Sequence, residues 1–431
     1  TIEKLATKAK VSTDTIKRLL GAKECPNGVE RWSVENIAKA LGIEPTDIVD
    51  PKDWYGKISV PPEFESLIAE KIRNFCGRRF VFDTFGQFIT TNPHGYFTIV
   101  GDAGMGKSSI VAKYVWEHKS PCYFNILVER RNRPELFLKS IRRQLIDRYE
   151  LPKNSEDADL PTLLAKVAAK LTAGDRLVIA VDALDEVEQE PGGNLLHLPK
   201  NLPNNVYFLL TRRPYSLDKK RLLVDVPEKE LDLRDSKYVN LNQDDIKEYI
   251  RFAIDTDSDY KDGLRNWIQT RSILDTTFVE QVANKSENNF MYLRYVLPAI
   301  AKGVYNDLSL KQLPDGLQEY YQSHWVRMKM DAKPGQLMEL ALYILLEIGT
   351  PIPGEMIAGI AELDEFDVKK VLEDEWVEYL KKQNVDEEIC YSIYHASFVD
   401  FLKAKREMDS KRKIFREVNQ RIAEYLENGM A

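Results

Sequence analysis

A glycine-rich stretch between an apolar run and a helical pattern constrains this chain more than any other feature. Residues 101–108 read GDAGMGKS and fit the pattern G-x-x-x-x-G-K-S/T. The apolar run Phe97–Val100 precedes this stretch, and a helical segment from Ser109 follows it. Glycines let the backbone curl so that several N–H groups at a helix N-terminus point at one phosphate. The stretch therefore predicts a phosphate-binding loop between a strand and a helix.

Two side chains of this loop have predicted ligands. Lys107 supplies a positive charge for the β- and γ-phosphates of a nucleotide, and the Ser108 hydroxyl is a hard oxygen ligand that suits Mg²⁺. We therefore expect a nucleotide with Mg²⁺ at this loop. The predicted nucleotide-binding residues of the loop are Gly101, Ala103, Gly104, Met105, Gly106, Lys107, Ser108 and Ser109.

Acidic residues follow a second apolar run, Leu177–Val181. A continuously apolar run is typical of a buried parallel strand, and ligands of open α/β sheets bind at the carboxyl ends of such strands. Asp182 is therefore the expected partner of Mg²⁺, directly or through water. Asp185 or Glu186 is expected to orient an attacking water.

Two arginines follow a third apolar run, Val206–Leu210. An arginine at the end of a neighbouring strand can reach a γ-phosphate with two parallel hydrogen bonds. We assign this role to Arg212. For Arg213 the favoured interpretation is a solvated side chain before the turn at Pro214.

Alternating helical patterns and apolar runs between residues 63 and 241 predict a parallel sheet covered by helices. The fold class is an α/β P-loop NTPase, and resemblance to known families implies that a helical domain and a winged-helix domain follow it and that a small all-α helix-turn-helix lies at the N-terminus. The expected strands are Phe97–Val100, Tyr123–Val128, Leu177–Val181, Val206–Leu210 and, more weakly, Tyr238–Leu241. The expected segments are 1–56, 57–241, 242–313, 314–405 and 406–431, in the order helix-turn-helix, nucleotide-binding domain, helical domain, winged helix and C-terminal helix.

Composition narrows the partners and the compartment. Lys and Arg number 61 against 68 Asp and Glu, and a chain of net charge −7 is neither a general nucleic-acid coat nor a cationic membrane binder. The four cysteines are scattered without a C-x-x-C pair, which suits a reducing cytoplasm. No apolar run approaches the roughly 20 residues of a membrane span, so we expect no membrane partner.

The acidic motif resembles that of a known family. Asp182, the small Ala183 and the later pair Asp185 and Glu186 look like the NACHT pattern, and Thr211-Arg212 looks like the family's sensor arginine. Over residues 63–405 the chain resembles the NACHT-like branch of the STAND class of signal-transduction P-loop ATPases.

That resemblance implies a slow Mg²⁺-dependent ATPase that serves a switch in defence or regulation. An ADP-locked resting monomer would exchange ADP for ATP and then self-associate. Two alternatives stay open: a DNA-binding regulator tuned by nucleotide, and an ordinary P-loop enzyme such as a kinase or a motor ATPase.

The same resemblance adds residues outside the loop. Gly77, Arg78 and Phe80 lie in a stretch similar to the segment over the adenine, although a helix end with an exposed arginine pair is the alternative there. His395 lies in a segment similar to the one whose histidine contacts the ADP phosphates in the resting state. Pro298 is the nearest candidate for the family's adenine-side proline.

Both ends of the chain carry open alternatives. Ser12–Leu20 resembles the recognition helix of an XRE-type helix-turn-helix, but residues 1–56 hold nine basic and nine acidic side chains, so DNA binding and docking of a protein effector both remain possible. Ile414, Val418, Ile422 and Leu426 form an apolar stripe, either docked on its own domain or covered by a later segment. The start at Thr1 and this stripe suggest a longer protein with a sensor region beyond Ala431.

Overall fold

The computed structural model describes most of the chain. The described residues are 2–20, 31–43, 47–49, 60–152, 155–172, 174–189, 193–214, 222–328, 330, 336–385, 387–408 and 413–429. The expected boundary between residues 56 and 57 lies outside them. No helix within these ranges is long and apolar enough to cross a membrane.

Three short helices come first: α1 (Ile2–Ala9), α2 (Thr13–Leu19) and α3 (Arg31–Leu41). Ser12 caps α2, because its Oγ accepts a hydrogen bond of 3.0 Å from the Thr15 N–H. The helices share a small core of their own, separate from the rest of the described chain. Its buried members are Ala6, Ala9, Ile16 and Ile37.

A five-stranded parallel sheet forms the next layer, in the order β2-β3-β4-β1-β5. Its strands are β1 (Gly95–Val100), β2 (Cys122–Phe124), β3 (Leu177–Asp182), β4 (Val206–Arg212) and β5 (Glu228–Asp232). The helices around it are α4 (Glu65–Ile72), α5 (Arg79–Thr91), α6 (Lys107–His118), α7 (Pro134–Tyr149) and α8 (Leu160–Ala168). Every residue of β1, β3 and β4 is buried, as their apolar runs predict.

The prediction of a strand at Tyr238–Leu241 is wrong. The fifth strand is β5, and residues 238–241 instead close a 3₁₀ turn and begin a helix. Glu228, Lys229 and Glu230 are exposed, because β5 lies at the sheet edge and pairs only with β1. An edge strand is held by backbone hydrogen bonds and often carries charged side chains. Its sequence therefore contains no apolar run that would predict a strand.

Helices dominate the described chain after β5. They are α9 (Val239–Asp255), α10 (Lys261–Thr270), α11 (Asp275–Lys285), α12 (Phe290–Ala301) and α13 (Gly316–Arg327). A C-terminal module, residues 336–408, follows with α14 (Gln336–Ile348), α15 (Gly354–Ala361), α16 (Glu365–Lys370) and α17 (Ala396–Met408). Its antiparallel sheet has the order β6-β8-β7, from β6 (Ile352–Pro353), β7 (Leu380–Val385) and β8 (Glu388–Ile393).

One hydrophobic core runs from Ile246 to Val418, on both sides of the boundary expected after residue 313. The last helix, α18 (Lys413–Gly429), docks on this core through the buried Val418. Arg421 Nη1 also donates a hydrogen bond of 2.8 Å to the Ala361 carbonyl at the end of α15. Val418 of the apolar stripe is therefore docked on its own domain, which is one of the two expected alternatives, whereas Leu426 is 44% exposed.

Candidate nucleotide-binding site

A cavity of about 860 Å³ opens at the carboxyl edge of the parallel sheet. The phosphate loop and the end of β3 form its floor. Helices α4, α9 and α12 form one wall, and the C-terminal module closes the other through β8 and α17. Parts of the chain that are far apart in sequence therefore enclose one volume.

The phosphate loop has the backbone that its glycines allow. Gly104 and Gly106 have φ of +86° and +82°, a left-handed conformation that other residues rarely adopt. Lys107 Nζ donates to the carbonyls of Gly101 (2.8 Å) and Asp102 (2.9 Å). Burial lowers the pKa of Lys107, while the charges of Asp185 and Asp182 oppose that shift. The lysine is thus held inside the loop, facing the acidic edge.

Most of the predicted loop residues line the cavity, and two lie behind it. The lining residues are Ala103, Gly104, Gly106, Lys107, Ser108 and Ser109. Met105 is buried, and a side chain on Gly101 would meet the Met105 sulfur at 3.3 Å and Leu233 at 3.2 Å. Gly101 and Met105 therefore pack against the protein core rather than lining the cavity.

Asp182 and Ser108 come together as a possible Mg²⁺ site. Burial raises the pKa of Asp182, and hydrogen bonds from Ser108 and Thr211 oppose the shift. A hydroxyl and a carboxylate are oxygen ligands that Mg²⁺ accepts. The described residues contain no group of three or more His, Cys, Asp or Glu placed for a metal. The pair therefore fits an ion that takes its other ligands from phosphate and water, as Mg²⁺ does beside nucleotides.

The next two acidic residues also line the cavity, with different partners. Asp185 Oδ1 accepts a hydrogen bond of 2.9 Å from the Arg213 N–H, and Asp185 Oδ2 lies 3.3 Å from Arg213 Nε. Glu186 Oε2 accepts from the Leu127 N–H at 3.1 Å. Burial raises the pKa of Glu186 to about 7, which suits a base that works near neutral pH.

The two arginines at the end of β4 have different surroundings. Arg212 Nη2 donates to Glu230 on β5, and Arg212 does not line the cavity. Arg213 does line it, on the same side as Thr211. Successive side chains of a strand alternate in direction, so the residue that shares the side of Thr211 is the second one after it. Of these two arginines, the one at the cavity is therefore Arg213, whereas the sequence assigned the γ-phosphate to Arg212.

Arg78 is buried rather than exposed, with 1% of its surface accessible. Its N–H donates to Asp245 Oδ2 (3.0 Å), its Nη2 donates to the Met105 carbonyl (2.7 Å), and its guanidinium lies 4.9 Å from the Phe290 ring centroid. Burial lowers the pKa of Arg78 to about 10, against the opposing charge of Asp245. Of the two arginines that the alternative places on the surface, only Arg79 is exposed. Arg78 ties the phosphate loop to α9 and α12.

The neighbours of Arg78 differ in position. Gly77 has φ +68°, and a Cβ there would lie 2.2 Å from Asp245 Oδ1, so this position requires glycine. Gly77 and Phe80 do not line the cavity, and Phe80 instead stacks on Tyr238 with ring centroids 5.1 Å apart. The residues on either side of Gly77, Cys76 and Arg78, do line the cavity.

Part of the cavity lining is apolar and includes Phe75, Cys76, Tyr249, Leu297 and Pro298. Flat aromatic and aliphatic surfaces of this kind suit a nucleobase. Pro298 lies within helix α12, where the sequence offered it as the nearest candidate for the adenine side.

Sequence reasoning missed the contact between α12 and the phosphate loop. Asn289 Nδ2 donates to the Ala103 carbonyl (3.0 Å), and the Phe290 N–H donates to the Gly104 carbonyl (2.9 Å). Asn289 also caps α12, because its Oδ1 accepts from the Met291 N–H at 2.9 Å. An asparagine before an apolar run is a signal for the start of a helix, but no sequence pattern indicates that its amide reaches the loop.

His395 brings the C-terminal module into the cavity. Its Nδ1 accepts from the Ser397 N–H at 3.2 Å and lies 2.6 Å from Ser397 Oγ. Burial and then the charges of Lys71, Arg213 and other nearby cations lower the pKa of His395 to about 3. The ring is therefore neutral at physiological pH, and with Nδ1 accepting, its proton lies on Nε2.

The segment that contains this site matches the model of a known protein family. Residues 96–255, from β1 through α9, match the model of the NACHT domain. This segment is therefore similar to a NACHT domain. It contains the phosphate loop, the acidic edge and both arginines that follow β4.

The similar solved structures share little sequence with this chain. One is a signal transduction ATPase with numerous domains (STAND) from Pyrococcus horikoshii, which carries a tetratricopeptide repeat sensor. It is 15% identical with a TM-score of 0.38, and the match covers 83% of this chain and 46% of that one. Another is the Holliday junction branch migration motor RuvB of Thermotoga maritima, at 13% identity and a TM-score of 0.25, covering 76% and 95%. The chain thus spans about half the length of the STAND structure. Among curated proteins no significant match was found.

Replacing Arg78 should destabilise the protein far more than replacing its neighbour. Arg78→Ala leaves Asp245 buried without its cation and should lower the free energy of unfolding by roughly 3 kcal/mol. Arg79→Ala removes an exposed side chain and should change it by less than about 0.5 kcal/mol. Denaturant unfolding measures both variants, and equal values would contradict a structural role for Arg78.

Proposed function

We propose that this chain is an ATP/ADP-dependent switch of the STAND type. The observation that carries the proposal is that His395, from the C-terminal module, lines the same cavity as the phosphate loop of the NACHT domain. A group that meets the phosphates from a separate module can report which nucleotide is bound, because ATP and ADP differ by one phosphate.

The nucleotide would lie along the length of the cavity. Its phosphates would meet the loop N–H groups and Lys107, and its base would lie between the apolar surfaces of Tyr249 and Pro298. Ser108 and Asp182 would hold Mg²⁺, which supplies charge neutralisation at the phosphates. The loop N–H groups and Lys107 at the sheet edge support this orientation.

Hydrolysis would depend on Glu186. Its raised pKa and its position beside the acidic edge suit a residue that accepts a proton from, or orients, the attacking water. Asp185 is engaged by the Arg213 backbone and side chain, which makes it a positioning group for that arginine. We propose that turnover is slow, because a switch must remain in each state long enough to be read.

In the resting state His395 would donate from Nε2 to an ADP phosphate. The neutral ring has Nδ1 occupied by Ser397, so this donor is fixed in direction. Exchange for ATP would break the contact, release the C-terminal module and permit self-association in the cytoplasm. The succession α14, β6, α15, α16, β7 and β8 supports the proposal that the module is a winged helix.

Loss of His395 should accelerate ADP release. His395→Ala removes one phosphate contact and should raise the ADP dissociation rate about 10-fold, measured by displacement of a fluorescent ADP. His197→Ala, at an exposed position, is the matched control. Lys107→Ala should bind neither nucleotide in the same assay. Equal release from parent and His395→Ala would overturn the resting contact, and full binding by Lys107→Ala would overturn the nucleotide site.

Hydrolysis should depend on the ionisation of Glu186. Because the carboxylate is the active form and its pKa is about 7, turnover at saturating ATP should rise as the pH increases through 7. Glu186→Gln should slow turnover about 100-fold or more, remove this rise and leave ATP affinity intact. Single-turnover phosphate release over pH 6–8 measures both. Unaltered turnover in Glu186→Gln would move the role to Asp185.

A second candidate function concerns α2. Lys17 and Arg18 are exposed on this helix, whose start Ser12 fixes, and such a helix could enter a DNA groove. A gel shift over a salt series tests it, with Lys17→Ala/Arg18→Ala as the variant. DNA regulation predicts salt-dependent binding that the variant weakens. Absence of binding to any duplex would favour docking of a protein effector through this module.

A further inference from the structure

Arg213 connects the acidic edge of the sheet to the C-terminal module. Its N–H and Nε face the two carboxylate oxygens of Asp185, at 2.9 and 3.3 Å. Its Nη1 donates to Asp400 Oδ2 on helix α17, at 2.7 Å. One guanidinium therefore joins a carboxylate of the NACHT domain to a carboxylate of the module that carries His395.

Arg213 also lies at the phosphate end of the cavity. Its positive charge is among the causes that lower the pKa of both Lys107 and His395, after burial, which is the largest cause for each. All three residues line the same cavity. A guanidinium in this place is within electrostatic reach of bound phosphates, and it prefers to make paired hydrogen bonds to anions.

Asp400 and a γ-phosphate would be rival anions for Arg213. A guanidinium has five N–H donors in one plane, and the edge that faces Asp400 cannot pair fully with a second anion at the same time. ADP has no γ-phosphate and leaves the Arg213–Asp400 pair intact. ATP gains the arginine only when Asp400 gives it up.

We propose that Asp400 is a specificity-determining residue that sets the chain's preference for ADP over ATP. It does so by occupying the arginine that a γ-phosphate requires, and so it couples ATP binding to release of α17. This inference rests on the proposed function, because it assumes that the cavity binds adenine nucleotides.

A second ion pair joins the same two parts of the chain and serves as the control. Lys381 Nζ on β7 lies 2.6 Å from Glu129 Oε1. The Lys381 side chain is 40% exposed and the Glu129 side chain 24%. The Arg213 and Asp400 side chains are 27% and 44% exposed, so the two pairs are closely matched in length and solvation. Half-exposed pairs of this kind contribute little to stability on their own. The pairs differ in that only one contains an arginine held by the acidic motif.

Affinities of purified protein for ADP and for a non-hydrolysable ATP analogue test the proposal. Asp400→Asn keeps the size of the side chain, removes its charge and should raise the ATP-to-ADP affinity ratio about fivefold. Glu129→Gln should leave the ratio within twofold of the parent. In an Arg213→Gln background Asp400→Asn should have no effect on the ratio, because the shared arginine is gone.

Three results would overturn the proposal: an unchanged ratio in Asp400→Asn, an equal shift in Glu129→Gln, or a shift that persists without Arg213. If the parent binds both nucleotides through Lys107 while the ratio fails to move, the specificity role of Asp400 fails and the proposed function stands. If the parent binds neither nucleotide, or if Lys107→Ala binds as well as the parent, both fail together.

Discussion

The parallel register of three buried strands is the constraint on which the site depends. Val100 at the end of β1 lies opposite Arg212 on β4, and Val181 lies opposite Leu210, which brings Asp182 beside Thr211. Because parallel strands end at one edge, the phosphate loop after β1, the acids after β3 and the arginines after β4 must emerge together. The core of fully buried strands fixes that edge, since a slip of one residue would turn apolar side chains away from their helices.

A second set of contacts connects the phosphate loop to the helical part of the chain. The Ala103 and Gly104 carbonyls accept from the start of α12, and the Met105 carbonyl accepts from Arg78, which is itself held by Asp245. A change in the loop backbone would therefore alter contacts with the helical part of the chain. On the other side, His395 and Asp400 connect the same edge to the C-terminal module. Side chains from the parallel sheet edge, the helical part and the C-terminal module therefore line one cavity.

The sequence predicted those parts of the site that local chemistry determines. The backbone of the phosphate loop, the position of Asp182 at a strand end and the buried strands follow from short motifs, and the match of residues 96–255 to the NACHT domain model agrees with the resemblance seen in the acidic motif. The strand β5 could not be predicted, because its charged residues satisfy only backbone pairing at an edge. The choice between Arg212 and Arg213 depended on the direction of one side chain at a strand end, and the reach of Asn289 depended on tertiary packing.

Our account holds that the nucleotide governs how firmly the C-terminal module is held over the phosphate loop. Hydrogen–deuterium exchange across β8 and α17 tests this claim most directly, on the same protein loaded with ADP or with a non-hydrolysable ATP analogue. We predict slower exchange with ADP, because His395 and the Arg213–Asp400 pair then remain in place, and faster exchange with the ATP analogue. Equal exchange in these segments with both nucleotides, under conditions where both are bound, would contradict the account.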